Sequence, residues 1–382
     1  MNFDLSEEQR MWRKAVHDFV DSEVKPLAAE LDEQAEFNHA AIAKMGSLGL
    51  LGLNIPEDYG GADVDPISAA VALEELGWGC GGTALSVAAH NGLACEPIVR
   101  FGTDRQKETW LPTLASGERG LGALALTEPG AGSDLAGGIQ TRAVLEEDSW
   151  VITGQKAWIT NAGMAPVIVT LCRSQPAGRS KLSLILVPGD ADGLMVHPKE
   201  KKMGTRASPT HGISFEAVRV PRENLLGDPG DGLYQTLQVL DGGRVGVAAL
   251  AVGLARAAFE EAAAYAQQRM TFGKPLTEHQ AVRFMLADAA AQIETSRTMT
   301  YRAAWLRGEG RSYTQAAAIA KLIATEAAER ICRDAIQIFG AYGYSKEYPV
   351  ERIYRDARLM TIGEGTSEVQ RMVIAKRALE TN

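Results

Sequence analysis

Val167-Ile168-Val169-Thr170-Leu171 is the stretch that decides the fold, because this β-branched run lies in a chain whose flanking regions are rich in alanine and leucine. Similar runs occur at Trp150-Val151-Ile152, Leu182–Val187 and Ile213–Val220. Turns such as Pro188-Gly189-Asp190 separate them, as is typical of short strands. Short strands at this spacing, without intervening helices, predict an antiparallel sheet or barrel and argue against a doubly wound Rossmann fold.

The region before these strands, residues 1–120, is predicted to be an all-helical unit. Ser6-Glu7-Glu8-Gln9 matches a capping box at a helix start. Helical segments are expected at Ala41–Leu51, Pro66–Leu76 and Thr83–Phe101. His90 and Asn91 fall inside the last segment, where packing or capping is the simpler interpretation for both.

The region after the strands becomes helical again beyond Gly227-Asp228-Pro229-Gly230. Long alanine-rich segments with short connections predict an up-and-down four-helix bundle, with helices near 231–268, 277–307, 312–339 and 366–380. The expected class is therefore α+β, with an N-terminal helical domain (1–120), a middle β-sheet or β-barrel domain (121–226) and a C-terminal bundle (227–382).

Composition narrows the class of protein. The 382 residues are 46% hydrophobic and 23% charged, with a net charge of −9 and no basic block, which argues against a nucleic-acid-binding protein. Cys80, Cys95, Cys172 and Cys332 form no CxxC pair, so neither a disulfide framework nor a metal site is expected. The start at Met1 lacks a signal-peptide pattern, and the longest apolar run, 245–255, is too short to span a bilayer. We expect a soluble cytoplasmic protein without membrane insertion.

The stretch Ile362–Arg371 is the expected location of the chemistry. It places Glu364 between Gly363 and Gly365, where the bare backbone lets a flat ligand approach closely. Thr366 or Ser367 can cap the helix that follows, and free N–H groups there would favour an anion or a flavin oxygen. The alternative is an acidic residue in a glycine turn before a last surface helix.

Two further stretches are candidates for cofactor binding. Leu126–Asp134 reads LTEPGAGSD, a cluster of glycine and small hydroxyl residues that suits contact between backbone N–H groups and ligand oxygens. It matches neither GxGxxG nor the P-loop, and a plain turn between strands is equally compatible. Trp158-Ile159-Thr160-Asn161 offers an aromatic face and a hydroxyl donor to one flat ring, although a lone tryptophan is more often core.

Several motifs in register resemble the acyl-CoA dehydrogenase family, and the resemblance covers nearly the whole chain. The motifs that carry it are TEPGAGSD (127–134), KAWIT (156–160), RMTFGKPL (269–276), QIFG (337–340), YRDAR (354–358) and EGTSE (364–368). The helix, sheet and helix order predicted above fits the same family.

The resemblance implies FAD as cofactor and a shared cofactor site in a homotetramer. In the family, one group of residues contacts the FAD of its own subunit and a second group contacts the FAD of a neighbouring subunit. The first group would be Leu124, Ala125, Leu126, Thr127, Gly132, Ser133, Trp158, Ile159, Thr160, Thr366, Ser367 and Glu368. The second would be Arg269, Thr271, Phe272, Gln280, Gln337, Ile338, Phe339, Gly340 and Ala341. Acyl-CoA contacts are implied for Ser133, Asp241, Gly242, Gly243, Arg244 and Gly365, although Asp241 and Arg244 could equally be a surface pair.

The implied reaction is α,β-dehydrogenation of an acyl-CoA thioester to a trans-2-enoyl-CoA, with Glu364 as the base. The backbone N–H of the catalytic glutamate and a flavin ribityl hydroxyl would bind the thioester oxygen, and burial would raise the pKa of Glu364. Some family members carry the base on the helix that holds the Asp241 segment, but Gly243 there cannot act as one. The implied electron acceptor is an electron-transferring flavoprotein. The rivals are an acyl-CoA oxidase that uses oxygen and a non-catalytic flavin-binding scaffold.

Two departures from the family pattern bear on substrate and cofactor. Gly363 stands where an aromatic residue is frequent, which would open space for branched or bulkier acyl groups. Ala341 stands where many relatives have a second glycine, which could tighten the adenine side of the flavin site. Overall, the motifs are most similar to short-chain and short branched-chain members. No arginine occurs in 85–94, which weakens a dicarboxylic substrate.

Overall fold

The computed structural model describes residues 4–174 and 181–380, so Met1 lies outside the described part. The N-terminal region is helical as predicted, and the Ser6–Gln9 capping box is present. The segment expected at 83–101 is continuous, but it includes a π-helical turn at His90–Cys95. The seven helices are α1 (Glu7–Phe19), α2 (Ala28–Gln34), α3 (Ile42–Ser47), α4 (Pro66–Gly79), α5 (Gly81–Ala89), α6 (Glu96–Phe101) and α7 (Asp104–Ser116).

The middle region contains the predicted β unit, with the short helix α8 (Leu135–Gly138) between its first two strands. The strands are β1 (Ala123–Ala125), β2 (Arg142–Glu146), β3 (Ser149–Thr160), β4 (Val167–Arg173), β5 (Leu182–Pro188), β6 (Leu194–Lys199), β7 (Thr210–Pro221) and β8 (Leu225–Leu226). They form one sheet in the order β6-β7-β3-β2-β4-β5-β8, with β1 added beside β4. Over the described residues this sheet is open, so the barrel alternative is wrong.

The sheet is also not purely antiparallel. β1 pairs with β4 in parallel, and β2 meets the end of β4 in parallel, whereas the remaining neighbours are antiparallel. The parallel pair brings β1, and the loop that follows it, to the buried strand β4. That loop begins the glycine-rich stretch singled out in the sequence.

The C-terminal region is helical and contains one helix that the sequence analysis did not assign. Its helices are α9 (Gly232–Gln268), α10 (Gln280–Gly308), α11 (Thr314–Phe339), α12 (Val350–Met360) and α13 (Ser367–Glu380). A two-stranded hairpin, β9 (Met270–Thr271) and β10 (Lys274–Pro275), joins α9 to α10. The four predicted helices are α9, α10, α11 and α13, and the additional helix α12 ends just before Glu364.

The core between α4 and α9 depends on two glycines that allow the helices to approach closely. A Cβ on Gly77 would lie 2.5 Å from Leu250 O, and one on Gly253 would lie 2.1 Å from Glu74 O. Next to this contact, Arg256 of α9 donates to Glu74 and Glu75 of α4 at 3.0 and 2.7 Å. The N-terminal and C-terminal helices therefore share one core.

Helix α9 is long and apolar enough to cross a bilayer by length and composition, and it contains the run 245–255 noted in the sequence. In this fold, 72% of its most apolar window is buried inside the protein, as expected for a core helix. Cys80, Cys95, Cys172 and Cys332 are buried free thiols. Among the described residues, no group of three or more His, Cys, Asp or Glu side chains could hold a metal ion.

Candidate active site

Glu364 lies in the turn between α12 and α13, and its backbone adopts a left-handed conformation with φ of 52°. Non-glycine residues with positive φ are uncommon and cluster at functional sites, where the surrounding structure must hold them. The next residue, Gly365, has φ of 94°, which explains the need for glycine there. Over the described chain, the Glu364 N–H donates to no backbone or side-chain acceptor. It is therefore free to bind a ligand oxygen.

The carboxylate of Glu364 points at Gly243 of α9. A Cβ built on Gly243 would lie 2.0 Å from Glu364 Oε2 and 3.2 Å from Leu93 Cδ2. Gly92, in the π-helical turn, lies opposite, because its own Cβ would find Gly243 Cα at 3.8 Å. Gly92 and Gly243 thus place no side chain of their own in this space, which the Leu93 side chain borders. Gly363 is open as well, with only Leu359 O at 3.7 Å from a Cβ built there.

Burial dominates the electrostatics of Glu364. Its Oε2 is buried and has no hydrogen-bond partner among the residues the structure describes. Burial raises the pKa of Glu364 from 4.5 to about 7, and the nearby positive charges of Lys321 and Arg244 limit the rise. A carboxyl group with a pKa near neutrality is suited to act as a general base.

Lys321 and Gln370 hold the turn that carries Glu364, and the sequence analysis missed both. Lys321 Nζ donates to Gly365 O at 2.8 Å, and Gln370 Nε2 donates to the same oxygen at 2.8 Å. Gln370 also donates to Glu364 O at 3.3 Å. A lone lysine in the apolar run Ala316–Ala324 could have pointed to Lys321, because a buried lysine usually has a specific partner.

Asp241 and Arg244 form a buried pair, so the surface-pair alternative is wrong. Arg244 donates to Asp241 Oδ1, and Thr314 Oγ1 donates to Oδ2 at 2.5 Å. Burial raises the pKa of Asp241, while the hydrogen bond from Thr314 and the charge of Arg244 oppose the rise. Both carboxylate oxygens are therefore engaged within the protein. The Arg244 Nε is buried and has no partner in the described part of the chain.

The two stretches proposed for the flavin meet in the middle sheet. Ala157 N donates to Thr127 O at 2.9 Å, which joins the KAWIT strand to the TEPGAGSD loop. Lys156 Nζ donates to Leu126 O at 2.9 Å and to Glu128 at 2.9 Å. The structure therefore brings these two sequence motifs together.

Side-chain exposure separates the residues of these stretches into two sets. Ala125, Leu126 and Ile159 are buried, so they can offer only backbone atoms to a cofactor. Trp158, in contrast, is 59% exposed and has φ of 62° at an irregularity in strand pairing. Gly132 has nothing within 4 Å of a Cβ built on it, so the loop backbone is open. The exposed Trp158 ring can pack against a flat ring of a ligand. The open backbone of the neighbouring loop at Gly132 can contact phosphate groups of the same ligand.

The residues at the start of α13 border a cleft. Thr366 Oγ1 accepts from Val369 N at 3.4 Å, which confirms the cap predicted for this helix. Ser367 Oγ is buried and has no partner among the described residues, and Glu368 is exposed. The cleft has a volume of about 550 Å³, and Thr366, Ser367, Glu368, Arg330, Tyr354 and Arg358 are among its lining residues.

The residues implied for a neighbouring subunit's cofactor lie at the other end of α9. Arg269 follows the last residue of α9, and 26 residues separate it from Gly243, or about 39 Å at ~1.5 Å per residue. Arg269 therefore lies far along α9 from the contact between Gly243 and Glu364. Its guanidinium lies 5.9 Å from the ring of Tyr342, which follows the segment Gln337–Ala341.

Phe272 is 97% exposed, whereas Ile338 and Phe339 are buried in the core and can offer only backbone atoms. Thr271 Oγ1 pairs with His279 at 3.0 Å, and Gln280 begins α10.

Three family models match successive parts of the chain. They are the acyl-CoA dehydrogenase N-terminal domain at residues 6–118, the middle domain at 123–218 and the C-terminal domain at 230–379. The chain belongs to the acyl-CoA dehydrogenase family. It is an oxidoreductase of the acyl-CoA dehydrogenase type, and the resemblance noted in the sequence is confirmed.

Relatives of this acyl-CoA dehydrogenase match over full length. It is 51% identical to a probable acyl-CoA dehydrogenase of Bacillus subtilis strain 168, over 382 residues and all of both chains. It is 44% identical to the mitochondrial short-chain specific acyl-CoA dehydrogenase of Bos taurus, over 99% of this chain and 92% of that one. The butyryl-CoA dehydrogenase of Megasphaera elsdenii has a TM-score of 0.96 at 40% identity, covering 99% of this chain and all of that one.

FAD is the cofactor of this family, as predicted. An acyl-CoA dehydrogenase of Bacillus anthracis solved in complex with FAD matches with a TM-score of 0.93 at 35% identity, over 99% of this chain and 68% of that chain. The exposed Trp158 and the open loop at Gly132 in this dehydrogenase are compatible with that cofactor.

Proposed function

We propose that this dehydrogenase oxidises short-chain acyl-CoA thioesters to trans-2-enoyl-CoA, with Glu364 as the base that removes the α-proton. The observation that carries the proposal is the placement of an unpaired, buried carboxylate against Gly243, in a turn whose own N–H is free. The similarity to short-chain and butyryl-CoA dehydrogenases supports the chain length.

The carboxylate and the backbone N–H of Glu364 have separate roles in the proposed reaction. The Glu364 carboxylate takes the α-proton, and the electron pair left on the α-carbon forms the new double bond as the β-hydrogen departs with its electrons. The Glu364 N–H stabilises the negative charge that develops on the thioester oxygen, and one such donor is typically worth about 3–4 kcal/mol. Bound FAD supplies the acceptor for the β-hydride.

We propose that this chain binds FAD through the contacts that its family resemblance implies. The meeting of the Leu124–Ser133 loop with Trp158–Thr160 supports a flavin ring at that edge of the sheet. Thr366, Ser367 and Glu368, which border the cleft at the start of α13, are proposed to contact the same cofactor. The separation of about 39 Å along α9 supports a role for Arg269 and Gln337–Ala341 on a neighbouring subunit's FAD. We propose that the protein forms a homotetramer in the cytoplasm. Each chain would consist of three domains, residues 1–120, 121–226 and 227–382.

Anaerobic flavin bleaching tests the proposed function directly. Butyryl-CoA should bleach the yellow enzyme, and Glu364→Gln should retain FAD and bind the thioester without bleaching. A matched control is Glu8→Gln, which changes an exposed glutamate of α1 outside the proposed site and should bleach normally. Normal bleaching by Glu364→Gln would refute the assignment of the base.

The acceptor is proposed to be an electron-transferring flavoprotein, and the alternative is oxygen. Mixing the substrate-reduced enzyme with air decides between them. Slow reoxidation with rapid transfer to an electron-transferring flavoprotein supports the dehydrogenase proposal, and fast peroxide formation supports an oxidase. A chain that binds flavin but never bleaches would be a non-catalytic scaffold.

A further inference from the structure

Lys321 lies in the middle of α11 and is fully buried, among the buried alanines at positions 317, 320 and 324. Its ammonium has three donors, yet one hydrogen bond is formed, to Gly365 O at 2.8 Å. Among the described residues, no carboxylate lies within ion-pairing distance of it. A buried cation without a paired anion is costly for folding, so its presence beside Glu364 calls for a functional reason.

The other charges that face Glu364 are already neutralised or remote. On α9, Arg244 is paired with Asp241. On α11, Glu326 is paired with Arg371 of α13 at 2.6 Å. Lys321 is therefore the one unpaired cation beside the carboxylate in the described chain.

The remaining neighbouring elements add no free charge. On α12, Arg358 is paired with Glu329 at 3.1 Å. In the π-helical turn opposite, burial lowers the pKa of His90 to about 4, so this imidazole is neutral at physiological pH. Glu368 at the start of α13 is exposed to solvent, which screens it.

We propose that Lys321 is a positioning residue for the base: it clamps the left-handed turn through Gly365 O and keeps the Glu364 carboxylate ionised until substrate binds. This inference rests on the proposed role of Glu364. Lys321 and Gln370 donate to the same oxygen of this turn, that of Gly365. When Glu364 accepts the α-proton, its attraction to the lysine is lost, so the lysine assists before the transfer.

Two variants separate charge from shape. Lys321→Met retains length without charge, and Lys321→Arg retains charge. The measurement is the rate of anaerobic flavin reduction by butyryl-CoA from about pH 6 to about pH 9. Lys321→Met should raise the inflection by about one pH unit and lower the rate about tenfold near pH 6. Near pH 9 the difference should narrow to the effect of the lost hydrogen bond to Gly365 O, because burial lowers the pKa of Lys321 to about 8 and the lysine then carries little charge.

A purely structural lysine gives a different result. In that case Lys321→Met would lose the same fraction of activity at every pH, and that outcome, or no loss at all, overturns the inference. Lys321→Arg should keep the original inflection, and a shift equal to that of Lys321→Met also overturns it. If Lys321→Met does not retain flavin, Lys321→Gln replaces it and the same comparison decides.

The same experiment distinguishes failure of the inference from failure of the proposed function. If butyryl-CoA and other short acyl-CoAs do not bleach the unchanged enzyme, the proposed function fails. If they bleach it and the pH profile of the Lys321 variants is unshifted, only the inference about Lys321 fails.

Discussion

The carboxylate of Glu128 accepts a hydrogen bond from the fully buried ammonium of Lys156 at 2.9 Å, inside the middle domain. The same carboxylate accepts from the backbone N–H groups of Gln140 at 2.7 Å and Thr141 at 2.9 Å. Lys156 in turn donates to Leu126 O, so one ion pair ties the start of the proposed flavin loop to β3 and to the residues just before β2.

Lys156→Met should destabilise the enzyme by about 3–5 kcal/mol, because it leaves the Glu128 carboxylate buried without its cation. Thermal unfolding and flavin content after purification measure the loss. Adding Glu128→Gln to the Lys156→Met variant should restore part of the stability. Unchanged stability and flavin content in the Lys156→Met variant alone would contradict this interpretation of the Lys156–Glu128 pair.

Gly243→Ala should slow flavin reduction at least about tenfold while FAD remains bound, because its Cβ would force the Glu364 carboxylate to move. Rapid-mixing absorbance measures the rate. Gly246→Ala on the same helix is the matched control, since its Cβ faces Leu73 at 3.2 Å and not Glu364. Equal effects of the two substitutions would contradict the proposed contact.

The rate of flavin reduction should rise with pH through about 7, the value to which burial raises the pKa of Glu364, because the ionised form is the base. Stopped-flow kinetics across this range, with the flavin followed by its absorbance, check the expectation. A rate that stays constant through this region would argue for a different base.

Glu364→Gln should make the protein more stable than the unchanged enzyme at alkaline pH. The folded pKa of Glu364 is about 7 against an ordinary 4.5, so the fold favours the neutral form. The stability that the neutral Glu364 carboxyl group provides is fully present below about pH 4.5 and is lost as the pH rises through about 7. Above that range the variant should gain up to about 3 kcal/mol. Thermal unfolding of both proteins at several pH values measures the gain, which should vanish in acid.

Gly363→Phe should leave folding and flavin binding intact, because a side chain at this position meets open space. It should lower kcat/KM for isobutyryl-CoA at least about tenfold more than for butyryl-CoA. A steady-state panel of straight and branched thioesters measures the difference. Strict preference of the unchanged enzyme for straight chains would count against the idea that Gly363 admits branches.

The sequence predicted the features that are local in the chain. The β-branched runs identified the sheet, and alanine-rich periodicity identified the long helices. The glycines around Glu364 indicated the unusual turn, because residues next to a functional group must adopt conformations that few side chains allow.

Features that depend on contacts between distant segments were not predictable in the same way. Lys321 acts on a turn more than forty residues later in the sequence, and its spacing carries no motif. The surface alternative for Asp241 and Arg244 failed because exposure depends on what packs over the helix, here Thr314. The barrel alternative failed because strand composition does not state whether a sheet closes.

The contact between Glu364 and Gly243 leaves room for a single acidic group between α9 and the turn. A carboxyl-bearing side chain at 243 would collide with the one at 364, so the two locations exclude each other. A lineage that moves its proton acceptor from one location to the other must therefore change both codons. An enzyme with only one of the two changes would have either two clashing acidic side chains or no proton acceptor. The absence of a Cβ at residue 243 therefore creates an evolutionary barrier.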